Sequence, residues 1–247
     1  MANKPVKPVY AVTFSPHPHD TEGGMGGTVA RWIREGKEVV CVICTNGDKG
    51  SGNPAIKPEA LAKKREKEQL EASKVLGVKK VIFLRHPDLG LEDTPQLRTE
   101  ILRAILTYRP QIVATRDPYN GRYVSNSDHR KLGRLVLDMV WPYAQAPNSF
   151  PELVKEGLLP HKVKEVWLWS PEQPNFRVDV TDTFEIKEKA VCCHRSQIED
   201  WMDAETDFEK ARQGHLKFTR DGALRAAEGT EFKLAEAFVK VMIPPRL

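Results

Sequence analysis

Val9-Tyr-Ala-Val-Thr-Phe14 runs straight into Ser15-Pro16-His17-Pro18-His19-Asp20-Thr21-Glu22 and then into Gly23-Gly-Met-Gly-Gly27. The first six residues are short, apolar and bounded by turn formers, which reads as a buried strand. The glycines lead into a helix ending near Gly36. A strand followed by a polar turn and a helix is the opening of an α/β unit, and the turn between them holds two histidines and an aspartate.

Working outward, the alternation continues. Glu38–Thr45 reads as a second strand and a polar loop follows it, Asn46-Gly-Asp-Lys-Gly-Ser-Gly-Asn-Pro54. A charged helix over about Pro58–Leu76 is stopped by Gly77, and Val81–Leu84 is a third strand. Thr94 is an N-cap candidate with Pro95 at the first position of a helix reaching Tyr108. Ile112–Thr115 is a fourth strand, Arg116–Ser127 a loop rich in turn formers, and Asp128–Val140 a helix. This pattern predicts a Rossmann-like α/β fold, a mostly parallel sheet with helices on both faces. Beyond Trp141 several prolines mark a long connection. Val166–Trp169 and Phe176–Val180 then read as two strands close enough to pair, followed by helices over Thr183–His194 and Glu231–Val241. One domain spanning residues 1–247, with a C-terminal strand-pair and helix elaboration, is the expectation.

Composition excludes several classes. With 40% hydrophobic and 29% charged residues the chain is an ordinary globule. The net charge of +4 is small for 247 residues and the basic residues are scattered, which argues against nucleic acid. No run approaches the ~20 apolar residues of a membrane helix. MANKPVKPVY lacks the apolar stretch of a secretory signal, so a cytoplasmic protein is expected. Cys41 and Cys44 have CxxC spacing but lie three apart on a strand, pointing to opposite faces, and read as core thiols.

In an open parallel sheet, ligands bind beyond the carboxyl ends of the strands. The turn after the first strand puts His17, His19 and Asp20 there, and the loop after the fourth delivers Asp128 and His129 to the same edge. Two histidines and a carboxylate make the three-ligand set of a catalytic zinc site. His17, Asp20 and His129 are therefore the expected metal ligands, with zinc expected and Fe2+ the alternative ion. Such an ion activates water and polarises a carbonyl, as amide hydrolysis requires. Lone loop histidines are usually surface residues, and His161 and His215 are read so; His86 reads as a packing residue or as one that supports the site from behind. A dinucleotide reading of the glycines fails because Gly24-Met-Gly26 is followed at position 29 by Val29, where glycine or alanine is required. The turn also lacks the His-x-His-x-Asp-His order of metallo-β-lactamases.

These residues resemble the LmbE/PIG-L family of zinc-dependent deacetylases over most of the chain. His17-Pro-His-Asp-Thr-Glu22 and Gly24-Met-Gly-Gly-Thr28 are similar, save one position, to its His-Pro-Asp-Asp-x-Glu and Gly-x-Gly-Gly-Thr motifs. Thr45–Gly50, Ser127-Asp-His-Arg130 and His194-Arg-Ser-Gln197 resemble further family elements. The resemblance implies removal of an N-acetyl group from an N-acetylglucosamine-type sugar or conjugate. It also implies the same three metal ligands, a substrate pocket lined by Asp48, Arg65 and Asp88, and a homo-oligomer, trimer or hexamer. Two positions depart from the pattern. His19 stands where the family has its general-base aspartate, and Asn126 where it has a second catalytic histidine. His19, with an ordinary pKa of about 6.5, is suited to take a proton from water. Asn126 can donate to a developing oxyanion, and Asp128 can orient an imidazole. A non-catalytic metal- or ligand-binding member of the same fold is the alternative.

Overall fold

The computed structural model describes residues 6–120, 125–200, 202 and 206–244. Of the expected Arg116–Ser127 loop, positions 121–124 lie outside the described residues, as do the ends of the 1–247 span.

The strands are β1 (Ala11–Ser15), β2 (Val39–Thr45), β3 (Lys80–His86), β4 (Ile112–Arg116), β5 (Glu165–Trp169), β6 (Phe176–Asp179) and β7 (Ala235–Met242). The helices are α1 (Asp20–Arg34), α2 (Pro58–Leu76), α3 (Pro95–Tyr108), α4 (Ser127–Val140), α5 (Pro151–Lys155), α6 (Phe184–Val191), α7 (Arg195–Glu199) and α8 (Phe208–Ala227). Among the described residues seven strands form one sheet in the order β3-β2-β1-β4-β5-β7-β6. The first five are parallel, and β7 runs antiparallel to both β5 and β6.

Period-two alternation distributes side chains to two cores. Val12, Phe14, Val40, Val42 and Cys44 pack with α3 and α4, whereas Ala11, Val39 and Cys41 pack with α1, α2 and α6. Cys41 and Cys44 thus lie on opposite faces, as their spacing requires. Local signals also set element ends. Thr94 Oγ1 accepts from Leu97 N at 3.2 Å, and Gly77 closes α2 at φ 83°.

Three expectations are corrected, and one helix was not expected. The helix α1 begins at Asp20, so the glycines lie inside it, with a non-helical Met25 (φ −149°). Glu231–Val241 is not a helix: alanine, glutamate and lysine favour one, but Ala235–Met242 is a strand hydrogen-bonded on both sides. Tertiary pairing overrides local preference there. Accordingly β5 and β6 do not pair, because β7 lies between them. The 20-residue α8 carried no strong apolar stripe to announce it.

The order of the parallel strands positions the site. The chain moves outward from β1 to β2 and β3, then returns to β4 on the other side of β1. A crevice therefore opens between the carboxyl ends of β1 and β4, where the chain direction reverses.

Candidate metal and amide-hydrolysis site

The turn after β1 is stitched in place by its own backbone. Thr45 N–H donates to the Pro16 carbonyl at 2.8 Å, and His17 N–H donates to Asp20 Oδ2 at 2.8 Å. Thr21 Oγ1 is hydrogen-bonded to Thr13 Oγ1 at 3.1 Å and also to Ser15 Oγ, which ties the start of α1 to β1. From the other side, Asn126 caps α4, its Oδ1 accepting from Asp128 N at 2.8 Å. The cap sets Asp128 and His129 in the first helical turn, where a carboxylate complements the helix dipole.

The two segments meet. His17 Nδ1 lies 3.1 Å from Asp20 Oδ2 and 3.1 Å from His129 Nε2, and the last atom is 3.5 Å from Asp20 Oδ2. The other ring nitrogen, Nε2, is 3.0 Å from Asp88 Oδ1 and 3.4 Å from Asp128 Oδ2. Each nitrogen of His17 therefore belongs to one candidate metal group: His17 with Asp20 and His129, or His17 with Asp88 and Asp128. In the first, two imidazole nitrogens face one another beside a carboxylate, an arrangement that needs a proton or a cation among them. Its two nitrogens and one oxygen fit a catalytic zinc ion. In the second, a buried carboxylate pair grips the far side of the ring, as carboxylates do behind metal-bound histidines. Asp128 Oδ2 is fully buried without a hydrogen-bond partner, and the imidazole beside it, 3.4 Å away, is that of His17.

The electrostatics agree with a cation site. Burial works to lower the pKa of His17, but the hydrogen bonds of Asp128, Asp20 and Asp88 outweigh it and push it up to about 11. Burial works to raise Asp20, yet the charge and hydrogen bonding of His129 and His17 hold it well below the usual carboxylate range.

A cavity of about 280 Å³ opens on this cluster, walled by Asp20, Arg65, Asp88, Asn126, His129 and Gln197 among others. Arg65 reaches it from α2, anchored on the Gly47 carbonyl at 2.9 Å and the Pro18 carbonyl at 3.3 Å. Asp88 accepts from Lys49 N at 3.3 Å, and Lys49 Nζ donates to its carbonyl at 2.7 Å. Asp48 is not on the wall: its carboxylate accepts from Asp88 N at 3.1 Å and so holds the Asp88 turn from behind. Lys49 and Gln197 were missed as site residues. Their signal was position, one in the loop after β2 and the other three residues after His194.

His19 is not on the wall either. It sits at φ 92°, its N–H donating to Gln69 Oε1 at 3.0 Å. Its Nε2 lies 3.4 Å from His215 Nε2, and its ring is 5.2 Å, edge-on, from His194. Burial, together with the charges of His194 and His215, drives its pKa well below the ordinary histidine value. His215 is thus not a surface residue, because α8 buries it against the turn. His194 is fully buried, with Nε2 3.5 Å from Glu22 Oε2. His86 packs on Glu100 at 2.6 Å, and His161 bonds the Pro110 carbonyl at 2.7 Å.

Comparison with known proteins finds relatives over most of the chain. The family model described as PIG-L, GlcNAc-PI de-N-acetylase, matches residues 12–140. Diacetylchitobiose deacetylase of Thermococcus kodakarensis is 34% identical over 93% of this chain and 85% of its own length. Mycothiol S-conjugate amidase of Streptomyces coelicolor is 27% identical over 78% of this chain and 85% of its own. Among solved structures, N,N'-diacetylchitobiose deacetylase from Pyrococcus horikoshii, complexed with an inhibitor, superposes with a TM-score of 0.85. It is 30% identical, covering 96% of this chain and 84% of that one.

Proposed function

Because the chain belongs to the PIG-L family, we propose that it is a metal-dependent hydrolase that removes the N-acetyl group from an N-acetylglucosamine-type sugar or sugar conjugate. The observation that carries this reading is the convergence of His17, Asp20 and His129 on one point at the mouth of a polar cavity. These three would hold the ion, zinc by the chemistry of the donor set. Bound there, zinc supplies a Lewis acid for the amide carbonyl and lowers the pKa of a water toward about 7.

The remaining work falls to the chain. Asp88 and Asp128 fix a proton on His17 Nε2, which leaves the Nδ1 lone pair facing Asp20 and His129. Asn126 uses its oxygen as the helix cap, so its NH2 is the free end, available to the oxygen that gains charge as the carbonyl is attacked. Asp20 and Asp88 are the carboxylates of the described cavity wall. With Asp20 a ligand, Asp88 lies behind His17 and also accepts from Lys49 N, so it holds the ligand ring in place. His19, the expected base, has its ring against His215. Arg65 and Lys49 line the cavity and are the cationic side chains of its wall on which sugar hydroxyls would lie.

The test is metal analysis followed by an assay of acetate and amine release across N-acetylglucosamine compounds. One ion per chain is expected, with equal yields of acetate and amine that chelator abolishes and zinc or Fe2+ restores. Stoichiometric metal with no acetate from any compound would convert the reading to a non-catalytic binding protein.

A further inference from the structure

A second and larger cavity, of about 480 Å³, lies beside the first. Ile56, Ala60, Leu61 and Met202 supply its apolar surface, and Ser51 and Ser196 edge it. Three elements run from one cavity to the other. Gly50 lines the first and Ser51 the second; Gln197 lines the first and Ser196 the second; on α2, Arg65 faces the first and Leu61, one turn earlier, the second. Gln197 Nε2 donates to the Gly50 carbonyl at 3.5 Å, so this pair is the ridge on which the two cavities abut.

The basin is a built feature. The buried Glu68 of α2 accepts from Ser196 N at 2.9 Å and from Ser196 Oγ at 2.5 Å, which clamps α7 to α2. At the rim Lys64 Nζ and Glu199 Oε2 pair at 2.5 Å and join the same two helices. Within this frame Ile56 and Met202 are 38% and 41% exposed, apolar side chains with one face left to solvent. The first cavity, at about 280 Å³, falls just short of the ~300–1,000 Å³ of drug-sized ligand sites, while the basin lies inside that range.

We propose that the basin is an aglycone subsite, and that the substrate is an N-acetylglucosaminide carrying an apolar aglycone, alkyl or aryl, rather than a free sugar or a glycoside with a small polar group. The proposal rests on the deacetylase reading for the position of the sugar. The acetamido group lies at His17 and His129, the sugar crosses the Gly50–Gln197 ridge, and the aglycone rests on Ile56, Ala60 and Leu61. Apolar contact in the basin is worth roughly fourfold in affinity per buried methylene, so the aglycone tunes KM and leaves the chemistry at the amide unchanged.

The experiment compares methyl and n-octyl N-acetyl-β-glucosaminides as substrates of the metal-loaded enzyme. The octyl compound is expected to show a KM at least about tenfold lower at similar kcat. Ala60→Trp, at an exposed position, fills the basin and should raise the octyl KM to the methyl value while leaving the methyl compound unaffected. Ile56→Ser should do the same in part. Equal KM values for the two compounds, or an Ala60→Trp effect that is the same on both, would overturn the subsite. So would a change in sedimentation on Ala60→Trp, which would mark the basin as a contact between copies of the chain. If neither compound is deacetylated, the deacetylase reading fails by itself. Calorimetry with the methyl and octyl glucosaminides, the amine products, then decides the subsite: tighter octyl binding that Ala60→Trp removes supports it, and equal binding rejects it.

Discussion

At the scale of single residues, the site is organised by the two nitrogens of His17. A pKa of about 11 means that the ring carries both protons at neutral pH when no cation is bound. Metal loading must therefore expel one of them, and affinity should rise with pH. Titration calorimetry with zinc at pH 7, in buffers of different ionisation enthalpy, should show about one proton released per ion; no release would remove His17 Nδ1 from the donor set. The carboxylate behind the ring can be tested in the same way. Asp88→Asn should weaken zinc binding about 10–100-fold, the usual weight of a carboxylate behind a metal-bound histidine. His19→Asn is the informative partner, since asparagine tolerates the φ of 92° that alanine would resist. It should leave zinc affinity and kcat nearly unchanged. A fall of about 10²–10⁴-fold in kcat in acetate-release kinetics would return the proton transfer to His19. His17, Asp20 and His129 were legible as a group because strand ends announce a rim. The side chain of His19 was not, because its direction depends on a left-handed backbone and on the partners His194 and His215, 175 and more residues away.

At the scale of elements, α4 is the part that must be placed with least tolerance, since it carries Asn126, Asp128 and His129 toward a turn on another strand. Its approach to the sheet is set by Gly133. A Cβ there would lie 2.6 Å from the Arg116 carbonyl and 2.9 Å from Pro118 Cδ, the segment leaving β4. Gly133→Ala should push the helix outward, at a cost of about 1–3 kcal/mol for overpacking. That corresponds to a fall of roughly 2–12 °C in Tm, and zinc should bind more weakly as His129 retreats from His17. Thermal unfolding with and without metal measures both; an unchanged zinc affinity would mean that α4 can shift without carrying the site. The helix was readable over Asp128–Val140, and Thr94 and Gly77 marked the start of α3 and the end of α2. The close approach at Gly133 was not readable, because an isolated glycine in a helix looks the same whether it faces solvent or a carbonyl.

At the scale of the whole molecule, β7 closes the fold. From this strand Glu236 accepts from Gly27 N at 3.0 Å and Thr28 N at 2.7 Å, and pairs with Lys187 of α6 at 2.6 Å, all out of solvent. The end of the chain is thus bonded to the helix that begins at Asp20. Glu236→Ala leaves the Lys187 ammonium buried without its partner, which should cost about 3–5 kcal/mol. At this chain length that is roughly 6–20 °C in Tm. A loss below about 1 kcal/mol in denaturant unfolding would show that Lys187 finds another acceptor.

What the sequence settled by itself was everything written in local periodicity: the βα alternation through β4, the two core faces of β2, and the gathering of His17, Asp20 and His129 at one rim. Those features follow from side-chain period and chain connectivity, which short segments carry within themselves. What only the tertiary structure decided was the strand nature of Ala235–Met242 and its place between β5 and β6, the direction of the His19 ring, and the withdrawal of Asp48 behind Asp88. Each depends on a partner distant in the chain, and the free energy that fixes it, a ladder of hydrogen bonds or a buried contact, exists only once that partner has arrived.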